Sequence, residues 1–455
     1  MAKLTQGSVK RTLFTMAFPM LAGTIAMNAY NLADTWFVSR LGTLPLAAMG
    51  FTFPVVMLLT FIAGSIGTGV TTLTSHAIGR HDQTTASRIV SHGFAFTILV
   101  AFFMSIAGYL SIEPVFRLLG ADDLTLPLIS DYMKTWYVGA VFMALPMMGN
   151  GILIASGDSR SASSFMMLGV VLNVILDPIM IFGWFGFPAL GMFGAALATV
   201  IAQAIASLRL FYLLNRKHRL LGFNNGAGSS FIFSCRQILE FAVPAGFSMM
   251  LMPVSAAIIT SLLSSYGHEA VAASGAASRI EMIAFVIPMA LGMSMTPFIS
   301  QNLGAGRMDR IIEAKNLASA FAIIYGFLIA IVFYLSATLL AGIFTEDPLV
   351  SSILTKYIKI ISWGYGMMEV HRYSGFVFTG MHRPFSSTAL NALRVLVLLI
   401  PLSFAGSHFF GITGIFAGRL ITDLTVGTFG LIWVSRVLTR ESTPGKPVPT
   451  PVYHG

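Results

Sequence analysis

Apolar residues run along this chain in stretches of about 20, the length that crosses a bilayer as a helix, and short polar turns separate them. The pattern predicts twelve spanning helices, at 12–38, 44–75, 90–112, 127–153, 162–184 and 190–213, then at 237–263, 271–301, 314–343, 350–378, 386–407 and 411–436. The second and eighth runs exceed one span, so those helices tilt or kink. A polar segment from Asn215 to Cys235 parts the two sets and holds Arg216, Lys217, Arg219 and the flexible run NNGAGSS. The expected organisation is an N-terminal lobe at 1–214, a linker at 215–235, a C-terminal lobe at 236–437 and a disordered, proline-rich tail at 438–455.

The two sets are copies of one unit. Arg11 to Gly50 aligns without a gap onto Arg236 to Gly275, matching Pro19 with Pro244, Gly42 with Gly267 and Gly50 with Gly275. Further on, GRHD at Gly79 matches GRMD at Gly306, and Tyr132, Lys134 and Gly139 match Tyr357, Lys359 and Gly364. Pro178 matches Pro401, and GMFG at Gly191 matches GITG at Gly411. Six helices is an even number, so both halves insert in the same orientation and are related by a pseudo-two-fold axis along the membrane normal. Halves of this kind leave a cavity between them and rock to open it on alternate sides, which points to transport.

Composition agrees with that reading. Of the 455 residues, 56 % are hydrophobic and 10 % charged, with a mean hydropathy of +0.81, against about 25 % charged in soluble domains. The net charge of +9 would suggest nucleic-acid binding in a soluble protein. Here the cations gather at the N-terminus (Lys3, Lys10, Arg11) and in alternate loops (among them Arg80, Arg160, Arg216, Arg307 and Arg383), while the opposite loops hold Asp122, Asp123, Glu269, Glu346 and Asp347. Both termini are therefore expected on the cytoplasmic side of a cell inner membrane, with no nucleic-acid partner. The single cysteine, Cys235, forms no internal disulfide. No Walker A, HExxH or CxxC sequence occurs, so neither ATP hydrolysis nor a thiol or zinc centre is expected, and an ion gradient supplies the energy.

Candidate chemistry stands out because hydrocarbon does not solvate charge. Asp34 is the only charged residue between Arg11 and Arg40, and a carboxylate at mid-bilayer costs about 2.5–3.5 kcal/mol. Its repeat partner is Ile259, and the partner of Asp177 is Ile400, so the scaffold needs neither acid. Tyr30 and Asp34 are spaced i, i+4, as are Asn173 and Asp177, and each pair shares a helix face. Counted from the cytoplasmic ends, all four lie in the outer half of the membrane; Asn150 and Thr199 complete a polar pocket, and Met27 and Met166 give it a pliable wall. Two carboxylates in one dry pocket do not both stay ionised cheaply, so they hold a proton or a monovalent cation such as sodium. Pro19 removes a backbone hydrogen bond in mid-span and permits a kink. The C-terminal half has its own set: Arg279, Glu281, Glu369, Arg372, Arg394, Arg419 and Asp423. The i, i+3 spacing of Glu369 and Arg372 and the i, i+4 spacing of Arg419 and Asp423 suggest internal ion pairs, while Glu281, Glu369 and Arg372 are secondary site candidates.

These residues carry a resemblance. Pro19, Tyr30, the run DTWFVSRLG from Asp34, Asn150, Met166, and Asn173 with Asp177 make the chain similar to the multidrug and toxic compound extrusion (MATE) transporters over essentially all twelve helices. The N-lobe positions resemble the branch of DNA-damage-inducible protein F, described as proton-coupled. The resemblance implies a non-enzymatic, monomeric antiporter that exports cationic or amphipathic drugs in exchange for protons or sodium. The ion site would be Asp34, Asn173 and Asp177. A lipid or lipid-linked oligosaccharide flippase of the same superfamily is the alternative, kept open by Arg279, Arg372, Arg394 and Arg419.

Overall fold

The computed structural model describes residues 3–222 and 228–442, and among them every regular element is helical. The first set of spans comprises α1 (Val9–Ser39), α2 (Thr43–Gly79), α3 (Gln83–Leu110), α4 (Thr125–Val138 continued by Ala140–Ala155), α5 (Ser159–Phe182) and α6 (Gly191–Lys217). The second comprises α7 (Gly228–Ser264), α8 (His268–Gly304), α9 (Met308–Phe344) and α10 (Pro348–Ile361 continued by Tyr365–Gly380). The helical stretch Pro384–Glu441 then turns at Gly411 (φ 60°), dividing α11 (384–410) from α12 (412–441). An additional short helix, Ile112–Leu118, follows α3.

Several ends differ from the hydropathy pattern because polar residues continue the helices past the apolar runs. α3 starts at Gln83, not 90, because Asp82 caps it, its carboxylate accepting from the Thr85 amide at 2.9 Å. α7 starts at Gly228, so the end of the expected linker is helix, and α12 carries the helix on to Glu441, into the expected tail. The middle of the linker (223–227) and the tail from 443 onward lie outside the described residues.

The repeat is visible in backbone geometry. Gly42 and Gly267 precede α2 and α8 with φ of 118° and 103°, a region that favours glycine. Both fourth spans break at matched glycines. α4 bends by 56° at Gly139, and α10 passes through a 3₁₀ turn, Ser362–Gly364. A Cβ on Gly364 would meet Leu420 and Asp423 of α12 at 3.2 and 3.3 Å, so the bend also lets the helices approach.

The chain forms two compact units. Among the described residues, those from Phe18 to Gly246 fall in the first, and Leu4–Ala17 together with the stretch from Phe247 to Ser442 fall in the second. The divisions therefore fall inside α1 and α7, beside Pro19 and Pro244. Within the first unit an apolar core joins Val38, Ile129, Met133, Trp136, Ile181 and Met192. In the second, Leu263, Ile280, Leu354, Ile358 and Phe416 do the same.

The segment before α7 is seated on the first unit by Asp158, which caps α5 through the Ser161 amide (3.2 Å) and meets Lys217 Nζ at 2.6 Å and His218 Nε2 at 3.1 Å. Burial alone would raise the Asp158 pKa, but Lys217 and the Ser161 donors outweigh it and hold the carboxyl at about 2. Burial keeps His218 below its ordinary value despite the acid beside it, so Lys217 is the counter-charge at neutral pH. A depressed carboxyl stabilises the fold above its unfolded pKa of about 4 and loses that contribution as pH falls toward 2. Thermal unfolding followed from pH 5 to pH 2 is expected to show this loss in the native protein, and Asp158→Asn is expected to flatten that part of the profile.

Candidate functional site

In the first unit, three helices bring polar groups together in an apolar surround. α1 contributes Tyr30 and Asp34, α5 contributes Asn173 and Asp177, and α6 contributes Thr199. The i, i+4 spacing on α1 and α5 stacks each pair on one face, so two sequence neighbourhoods about 140 residues apart need only one helix–helix contact to meet. Asp34 is 6 % exposed and Asp177 is fully buried. Among the described residues Asp34 Oδ1 has no hydrogen-bond partner. Tyr30 is close enough to interact electrostatically with Asp34 and Asp177, and it reaches the Thr199 hydroxyl.

Asn173 can serve Asp177 in either protonation state. In one orientation its amide donates to Asp177 Oδ2 at 2.9 Å and accepts from Thr199 Oγ1 at 3.0 Å, the arrangement an ionised carboxylate needs. Turned over, it donates to Thr199 Oγ1 at 3.0 Å, and Thr199 donates to the Ala195 carbonyl at 3.1 Å. The amide oxygen then faces Asp177 and is satisfied when that acid carries a proton. Such orientations follow from the neighbours' donors and acceptors. The Asn173 amide thus has a hydrogen-bonded orientation for either protonation state of Asp177. A sodium ion there would draw on the carboxylates and on the neutral oxygens of Asn173 and Thr199; among the described residues no group of three or more His, Cys, Asp or Glu could hold a metal ion.

The other candidates are placed differently. Met166 packs on α1, its Sδ lying 3.2 Å from where a Cβ on Gly23 would be, about two turns from Tyr30. Met27 is 40 % exposed. Asn150 is half-buried on α4 and its Oδ1 has no partner among the described residues, and Pro19 lies inside α1. One residue that sequence reasoning did not assign to the pocket is Tyr132 on α4, which is buried and interacts electrostatically with Asp34, Tyr30 and Asp177. Its repeat partner signals the role: Tyr357 donates to Glu281 Oε1 at 2.8 Å and accepts from Arg419 in the second unit.

The second unit replaces paired acids with a neutralised network. Arg394 donates to Asp423 Oδ1 from Nη2 (2.7 Å) and Nε (3.0 Å). Arg419 pairs with Glu281 at 2.7 Å and reaches Asp423 only at 3.8 Å, and Arg372 meets Glu369 at 3.0 Å. The i, i+3 pair is thus present, whereas the closer partners of Arg419 and Asp423 come from other helices. Arg394 sits in a π-helical turn, Leu393–Leu399, a distortion that redirects side chains. Arg279 is exposed.

Comparison with known proteins places these features in context. The MatE family model matches residues 19–179 and 244–405. The FAD transporter of Shewanella oneidensis is 37 % identical over 424 residues, covering 93 % of this chain and 94 % of that protein. The multidrug export protein MepA of Staphylococcus haemolyticus is 24 % identical over 445 residues, covering 97 % and 96 %. Among solved structures, the Vibrio cholerae MATE transporter VcmN in its bent form superposes with a TM-score of 0.90 at 30 % identity, over 95 % of this chain and 97 % of that one.

Proposed function

The chain belongs to the MatE family of multi-span membrane transporters, and from that premise we propose that it exports FAD, or a closely similar flavin dinucleotide, across the inner membrane in exchange for protons. The observation that carries the coupling reading is the buried acid pair, Asp34 and Asp177, whose repeat partners are Ile259 and Ile400. A charge that the fold does not require, kept at a cost in hydrocarbon, is a functional group. Asn173 and Thr199 adjust to either protonation state, and Tyr30 and Tyr132 line the acids. The resemblance to the branch of DNA-damage-inducible protein F supports protons over sodium. Orientation with both termini in the cytoplasm follows from the distribution of cations.

The cargo reading rests on the FAD transporter of Shewanella oneidensis, similar along nearly the whole chain. Export of cationic drugs is the second reading, supported by the more distant multidrug export protein. The flippase alternative keeps only the exposed Arg279 in its favour, because Arg372, Arg394 and Arg419 are each paired with an acid. Proteoliposomes holding the purified protein separate the cargoes. Saturable FAD transport is expected, with riboflavin (no pyrophosphate) and ethidium at least about tenfold slower, a discrimination that 1.4 kcal/mol supplies. Ethidium transport with no FAD transport would replace this cargo by the drug reading.

A further inference from the structure

Two side chains at matched repeat positions grip the segments that lead into α1 and α7. Arg310 directly follows GRMD, as Gln83 directly follows GRHD. Arg310 is 5 % exposed, and its guanidinium donates to the carbonyls of Gly7 (2.5 Å), Leu4 (3.0 Å) and Gln6 (3.3 Å) and to Asn302 Oδ1 (2.8 Å). Asn302 Nδ2 donates to the Leu4 carbonyl at 3.2 Å, and the Leu4 amide donates to Gln301 Oε1 at 2.8 Å. The Leu4 and Val9 side chains are buried as well. A buried cation whose hydrogen bonds go to neutral acceptors is costly to leave unmatched, so the three carbonyls of this strap and Arg310 need one another. In the first unit the arrangement recurs in weaker form. Gln83 Nε2 donates to the Arg219 carbonyl at 3.1 Å, the Gly222 amide donates to Ser91 Oγ at 3.0 Å, and Leu220 is buried.

We infer that Arg310 is a strap clamp that makes α1 a tether between the two compact units, with Gln83 the corresponding clamp for α7. Residues 4–17 belong to the second unit, while α1 from Phe18, including Tyr30 and Asp34, belongs to the first. Arg310 holds the strap just before α1, and α1 runs from that strap in the second unit into the stretch of the first that carries Asp34. Pro19 follows the point where the helix changes unit, where a missing hydrogen bond lowers resistance to bending. Glu313 and Asp309, one turn or less away on α9, and Arg307 are the charged groups around the clamp; none of them replaces its carbonyl partners.

Hydrogen–deuterium exchange and flux on the full chain test this. Arg310→Ala is expected to raise exchange in residues 4–8 by at least about tenfold, to leave FAD binding within about twofold, and to lower FAD export at least about fivefold. Gln83→Ala is expected to raise exchange at 219–222 instead. If Arg310→Ala does not fold, Arg310→Lys, which keeps the charge but loses the planar fork, is read in the same way with about threefold changes. Unchanged exchange would overturn the clamp. Raised exchange with unchanged export would overturn its part in transport. The export readout rests on the transport reading, but the exchange readout does not, so failure of one is separable from failure of the other.

Discussion

Asp34→Asn is expected to abolish uphill export while leaving the protein folded. The substitution is isosteric, but an amide neither carries a negative charge nor exchanges a proton at neutral pH, so the site no longer alternates between loaded and empty. A coupling ion acts only through its different affinity for the two conformations, and couplings of about 1–3 kcal/mol correspond to changes of roughly 5- to 150-fold. With the acid's charge and proton both gone, uphill flux should fall below detection. Stability should hold or rise, because Asp34 Oδ1 lacks a partner among the described residues and a neutral amide is cheaper to bury than a carboxylate. Flux under a gradient and unfolding in detergent, measured on the same preparation, separate a coupling defect from a folding defect. Native flux in the variant would remove Asp34 from the mechanism.

Asp423→Ala is expected to be the most destabilising single change in the second unit. Asp423 is fully buried and is the hydrogen-bonded partner of Arg394, with Arg419 a second, looser neighbour. Removing it leaves a guanidinium uncompensated inside the membrane, and breaking a buried pair from one side costs about 3–5 kcal/mol. Replacing both partners, Asp423→Leu with Arg394→Leu, should recover most of that loss, since an apolar pair of similar volume is often neutral or better. Denaturation in detergent gives both values. A loss below about 1 kcal/mol, the level of an exposed ion pair, would show that the network is solvated.

The twelve spans were legible because apolar runs of bilayer length have few alternatives in solution, and the duplication was legible in its turn and charged residues. Helix ends were not, since polar residues such as Gln83 and Asp82 extend α3 beyond the apolar run. The break at Gly139 was hidden because both flanks are apolar; its match to Gly364 was the available clue. For the polar cluster, i, i+4 spacing singles out Tyr30, Asp34, Asn173 and Asp177, because helix periodicity fixes which residues share a face. Periodicity does not say which helix that face meets. That is why spacing alone offers Thr199 to the site without saying which side chain it meets, and the structure sets its hydroxyl against the Asn173 amide. It is also why Arg419 pairs with Glu281 of α8 rather than with Asp423 one turn along. Tyr132 was passed over because a tyrosine in an apolar span carries no charge to mark it.

The central claim is that occupancy of the Asp34–Asp177 site by a proton drives export. Its most direct test is FAD transport in proteoliposomes under an imposed pH gradient alone, a sodium gradient alone and no gradient, with the native protein beside Asp34→Asn. The account predicts uphill FAD movement with the pH gradient alone, and none in the variant. Movement at the same rate with and without any gradient, in protein verified as folded, would contradict it.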